Sequence, residues 1–117
     1  MPSHDRPVLV VQHDAALREY MVDVIEGHGF EVLAAETGED ALELLAGREA
    51  QLAVLEVGLP GMDGFAVAEE LDGAPVIIVT ADPVAAYARA GELRNEYQVL
   101  PQRLMPDVFE SAVSAFG

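Results

Sequence analysis

Hydrophobic and polar positions along this chain form two alternating textures. Val8 to Val11, Leu52 to Leu55 and Val76 to Val79 are uninterrupted apolar runs of strand length. Runs of that length without polar alternation suit parallel strands covered on both faces. Between them, apolar residues recur at helical spacing, as in Leu17, Met21, Val24 and Ile25, then Ala41, Leu42, Leu44 and Leu45. The pattern predicts five strands, Pro7–Val11, Phe30–Ala34, Leu52–Leu55, Pro75–Thr80 and Tyr97–Leu100, alternating with five helices. Short loops and strict alternation make this an α/β doubly wound parallel sheet with right-handed crossovers.

The punctuation agrees with that reading. Asp14 is placed to cap the first helix, which Gly27 and Gly29 close around His28. Thr37 with Asp40 makes a capping-box arrangement for the second. Asp63 can cap a third helix over Phe65–Leu71, ended by Asp72-Gly73. Ala81-Asp82-Pro83 opens a fourth, with proline in its first turn, running to Gly91. The last helix is expected from Pro106 to Phe116, with Phe109, Ala112, Val113 and Phe116 turned inward. Met1 to Arg6 reads as a loose polar leader.

Length bounds the rest: residues 1–117 make a single domain. A hydrophobic fraction of 51% excludes disorder. No apolar run is long enough to span a bilayer, and Met1 to Gln12 lacks the features of a signal peptide. The absence of cysteine removes disulfides and thiolate metal sites and makes a cytoplasmic protein the default expectation. A formal charge of −15, from 21 acids and 6 bases, argues against nucleic acid or an anionic membrane as partner. All six bases are arginine, so the chain has no lysine.

The chemistry centres on Leu52–Gly64, LAVLEVGLPGMDG. It reads as a buried strand delivering Glu56 to its carboxyl end, a turn through Pro60 and Gly61, then a helix. In doubly wound sheets ligands bind beyond that end of the strands, although an acid there can equally be an ordinary surface residue. Taken in order, VLVV with its following triplet, LPGMDG and VIIVTA resemble the receiver domain of response regulators (CheY-like) over nearly the whole chain. The resemblance implies the flavodoxin-like (βα)5 three-layer sandwich with strand order 2-1-3-4-5.

The resemblance also implies a set of working positions. A receiver holds magnesium with two acids after its first strand and accepts a phosphoryl group on an aspartate after its third. A hydroxyl after the fourth strand and a lysine, followed by proline, after the fifth contact the phosphoryl oxygens. Here the acidic pair falls on Gln12 and His13, the acceptor on Glu56, the hydroxyl on Thr80, and the lysine on Gln102 with Arg103 in place of the proline. The aromatic switch position falls near Val99, with Tyr97 two residues earlier. Magnesium takes hard oxygen ligands, and phosphoryl transfer needs cations on the equatorial oxygens. Gln12, His13 and the missing lysine supply neither, so the expectation is a degenerate pseudo-receiver without a Mg²⁺ site, a signalling module and not an enzyme.

Several expectations follow. Glu56 could imitate a phosphoaspartate and reach toward Thr80, and His13 could pair ionically with Glu56 where the metal was. The face around the last strand, with Tyr87, Arg89, Arg94, Tyr97 and Arg103, is interface-like and a candidate for homodimerisation. Partners in this reading are a histidine kinase, a phosphotransfer protein or another regulator. The alternative is a still-active phosphoacceptor using a non-standard acid such as Asp14. A small-molecule site is weakened by the lack of a phosphate-cradling loop after the first strand. An initiating Met1 and a full last helix point to a stand-alone protein.

Overall fold

A computed structural model describes residues 6–102 and 108–116. Within them, strands and helices alternate: β1 (Val8–Val11), α1 (Ala15–Gly27), β2 (Val32–Ala35), α2 (Gly38–Leu45), β3 (Leu52–Glu56), α3 (Gly64–Glu70), β4 (Val76–Thr80), α4 (Pro83–Ala90), β5 (Tyr97–Pro101) and α5 (Phe109–Phe116). The sheet is wholly parallel and ordered β2-β1-β3-β4-β5, as the resemblance implied.

Both faces of the sheet are covered, which is why the central strands carry no polar alternation. Leu9, Val11, Leu55, Ile78 and Val99 face one core with Ala41, Leu45, Phe65 and Ala86. Val8, Val10, Val54, Ile77 and Val79 face the other, with Met21, Ile25, Phe109 and Val113. Tyr20 and Phe109 pack ring against ring at 6.0 Å, tying α1 to α5. Truncating a buried ring such as Phe109 to alanine costs about 3–5 kcal/mol in comparable cores.

The expected caps form. Asp14, Thr37 and Asp63 accept from the amides of Leu17, Asp40 and Ala66, and Asp82 does the same for Ala85. Some boundaries move. The second strand spans Val32–Ala35, because Phe30 is already spent as a buried core residue ahead of the pairing that starts at Val32. β5 runs one residue further, to Pro101. The expected start of the last helix at Pro106 lies outside the described residues, and the helix is described from Phe109. Most of the supposed leader, residues 1–5, also lies outside them. Arg6 is not loose: its carbonyl accepts from Gln51 Nε2 at 2.6 Å and its guanidinium lies 3.6 Å from Glu49. Among the described residues no helix is long and apolar enough to cross a membrane.

One buried polar side chain was not anticipated. Asn95, between α4 and β5, is 6% exposed and donates through Nδ2 to the carbonyls of Ala68 and Ala74. It stitches the approach to β5 onto the last turn of α3 and onto the connection from α3 to β4.

Candidate functional site

Parallel pairing brings the expected positions to one edge of the sheet. Val11 is in register with Leu55, so Gln12 and Glu56 leave adjacent strands side by side. Glu56 pairs with Val79, one residue before Thr80. Gly64 lets α3 start hard against this edge, because a Cβ there would run into the carbonyl oxygen of Glu56. Gly61, at φ 73°, supplies the left-handed turn before it, under the Glu39 carboxylate.

At this edge the polar atoms are largely engaged by the chain itself. Glu56 Oε1 accepts from the main-chain amide of His13 at 2.9 Å. Gln12 is fully buried. Its main-chain amide donates to the Ala35 carbonyl, its Oε1 accepts from the Asp14 amide at 3.1 Å, and its main-chain carbonyl accepts from Arg18 Nη1 at 2.8 Å. Since the Asp14 amide requires an acceptor, the side-chain amide of Gln12 is oriented with oxygen toward it. That leaves Gln12 Nε2 a buried donor without a partner among the described residues. Thr80 is buried, and its hydroxyl oxygen accepts from the Asp82 amide at 3.0 Å, leading into the cap of α4.

Four expectations need correction. His13 and Glu56 do meet, but through the main-chain amide; the imidazole is exposed and forms no ion pair with Glu56. Glu56 turns back toward the loop after β1, and its described bond is to His13, not Thr80. The lysine position also shifts. Gln102 follows the last paired residue of the sheet, whereas Pro101 pairs with Thr80 at the strand end and is preceded by Leu100. The residue ahead of the proline is therefore Leu100, a 9% exposed core side chain. Counting from Thr80 overshot because strand ends are fixed by pairing, and α4 is only eight residues long. The same two-residue slip moves the aromatic position from Val99, which is buried in the core, to Tyr97, which is 38% exposed.

The face beside β5 is only partly as expected. Tyr87 and Tyr97 are exposed, as is Val84, which sequence reasoning passed over. Arg94 is exposed, and Arg103 lies outside the described residues. Arg89 is engaged within the fold: Nη1 donates to Asp63 Oδ2 at 2.9 Å, and its guanidinium lies 4.2 Å over the Phe65 ring. Partial burial pushes the Asp63 carboxyl up, but the Ala66 amide, the Arg89 guanidinium and the Phe65 amide outweigh it and hold that carboxyl below its usual range.

The model of the response regulator receiver domain matches residues 8–110. The transcriptional regulatory protein AfsQ1 of Streptomyces coelicolor is 38% identical over 84 residues, covering 69% of this chain and 36% of that protein. The chain thus spans about a third of the length of the curated relatives it matches. Among solved structures, response regulator TrrA of Thermotoga maritima, in complex with Mg²⁺-BeF, matches with a TM-score of 0.74 and 25% identity, over 96% of this chain and 99% of that one. Chemotaxis protein CheY4 of Vibrio cholerae shares the fold at a TM-score of 0.77 and 18% identity, over 96% and 98% of the two chains.

Proposed function

The chain belongs to the receiver domains of two-component response regulators, and from that membership we propose that it works as an atypical receiver, a protein–protein interaction module that is not phosphorylated in the usual way. The observation that carries this reading is the fate of the oxygens at the sheet edge. Glu56 Oε1 and Gln12 Oε1 are each taken by a main-chain amide of the loop after β1. A hard divalent cation needs several oxygens pointing at one place. Among the described residues the one buried side-chain polar atom left without a partner is an N–H donor, Gln12 Nε2, whose polarity is wrong for a cation.

The residues present therefore do not fit the magnesium that TrrA is described as holding. Leu100 at the lysine position adds no positive charge for a phosphoryl group. Asp14, the acid favoured by the alternative reading, has Oδ1 committed to the N-terminus of α1. In this proposal the domain is held in one state and read by a histidine kinase, a phosphotransfer protein or another regulator. The Val84, Tyr87 and Tyr97 face is the surface offered, including for a second copy. A cytoplasmic setting follows from the same reading.

Intact-mass measurement after incubation with acetyl phosphate or phosphoramidate and Mg²⁺ tests it. The mass should stay unchanged while a competent receiver in the same reaction gains one phosphoryl group. A stoichiometric gain on this chain overturns the proposal, and mapping the group to Asp14 would establish the alternative.

A further inference from the structure

At the far side of the sheet from β5, β2 pairs with β1 alone. Its residues Val32-Leu33-Ala34-Ala35 carry neither charge nor proline. Glu31 and Ala35 turn their carbonyls toward β1, where they accept from Val8 and Gln12. By strand alternation the main-chain groups of Val32 and Ala34 face outward. Proteins commonly blunt such edges with lysine, proline, a bulge or a cover, whereas this strand relies on shortness alone.

Alongside it, Asp40, Glu43 and Leu44 share one face of α2. With Ala34, Ala35 and Glu36 they line a groove of about 380 Å³. Leu44 is 50% exposed on its wall. The ion pairs among the described residues engage none of Glu36, Asp40 and Glu43. So the groove joins an open hydrogen-bonding edge, one exposed apolar side chain and three unneutralised carboxylates.

We propose that this edge docks an extended, lysine- or arginine-bearing segment of another protein, added as a strand beside β2 with an apolar side chain resting on Leu44. Charge selects this occupant. At this groove a second copy, which would set its own Glu36, Asp40 and Glu43 against these carboxylates, and a nucleic acid are both repelled, whereas a basic segment is steered in. Strand addition supplies the main-chain bonds, and alternating side chains supply the specificity. The proposal does not depend on the fate of the phosphoacceptor edge.

The test uses the ¹⁵N-labelled chain and a capped nine-residue peptide of alternating lysine and valine, followed by NMR and amide exchange. Saturable shifts are expected over residues 32–44, with slowed exchange of the Ala34 amide. Glu43→Lys should weaken binding at least about fivefold, since reversing one charge alters about 1 kcal/mol or more of pairing at close range. Ala34→Pro, which removes only the outward-facing donor, should weaken peptide binding at least about fivefold and diminish the shifts at the remaining amides of residues 32–44, while circular dichroism reports an intact fold. If Ala34→Pro does not fold, Glu43→Lys decides. Shifts spread evenly over the acids of α1 and α3, an unprotected Ala34 amide, or unchanged affinity of Glu43→Lys would each overturn the proposal.

Discussion

Replacing Glu56 with aspartate restores the residue a working receiver carries, yet it should cost this chain stability. The Glu56 carboxylate spans from β3 to the His13 amide at 2.9 Å. Aspartate withdraws the oxygens by roughly one carbon–carbon bond, about 1.5 Å, beyond hydrogen-bonding distance. A bond to a charged acceptor contributes about 1.5–3 kcal/mol when well shielded. Glu56 is only partly buried, so about 1 kcal/mol is a fair expectation. Glutamine keeps the reach and loses the charge, which halves the bond to about 0.5 kcal/mol. In a domain of this size 1 kcal/mol moves Tm by about 4 °C. Urea unfolding followed by circular dichroism gives the stabilities, and exchange of the His13 amide gives the local effect. The order should be wild type, then Glu56→Gln, then Glu56→Asp, with the His13 amide exchanging fastest in the aspartate variant. An aspartate variant as stable as wild type, with His13 equally protected, would mean that the carboxylate does not tie β3 to the loop after β1.

Two further predictions concern neighbouring groups. Gln12→Met removes a part-buried bond and leaves the Asp14 amide to water, a loss of about 1 kcal/mol, but also removes a stranded donor whose burial costs about 1–3 kcal/mol, so calorimetry should find stability unchanged or raised; a fall of several degrees in Tm would show that the stranded donor is not the larger of the two terms. Arg89→Ala removes one of the groups holding the Asp63 carboxyl down, so an NMR titration should find Asp63 protonating at higher pH than in wild type. Because the folded state lowers that pKa, the stability it confers is present above the ordinary carboxylate range and lost as pH falls through the folded value; the gap between wild type and Arg89→Ala should narrow there, leaving the pH-independent contact with Phe65.

The five strands were readable because each central one is an apolar run with no other use, and the caps because Asp and Thr sit just ahead of helical periodicity. Glu56, Gln12 and Thr80 were placed at the sheet edge by position within or next to strands, which pairing then confirmed. Gln102 and Val99 were misplaced because they were reached by counting across a helix and a loop, where chain length carries no register. The Leu100-Pro101 dipeptide was the signal available, but an aliphatic residue gives no chemical hint that it occupies a lysine's position. The contact between His13 and Glu56 was foreseen as a pair of residues and missed as a pair of atoms. Sequence shows the imidazole and conceals the amide behind it. Asn95 and Arg18 escaped notice because their partners are carbonyls, which every residue carries.

The capping residues Asp14, Thr37, Asp63 and Asp82 also bear on traffic into the crevice. In a parallel α/β sheet the helices after the strands start at the same rim, and their bare amides would ordinarily draw in anions. Here three of the four caps are themselves carboxylates, and with Glu56 they fence the entrance with negative charge. A small anionic ligand approaching from solution should be slowed at this gate, and more so in dilute salt than in concentrated salt.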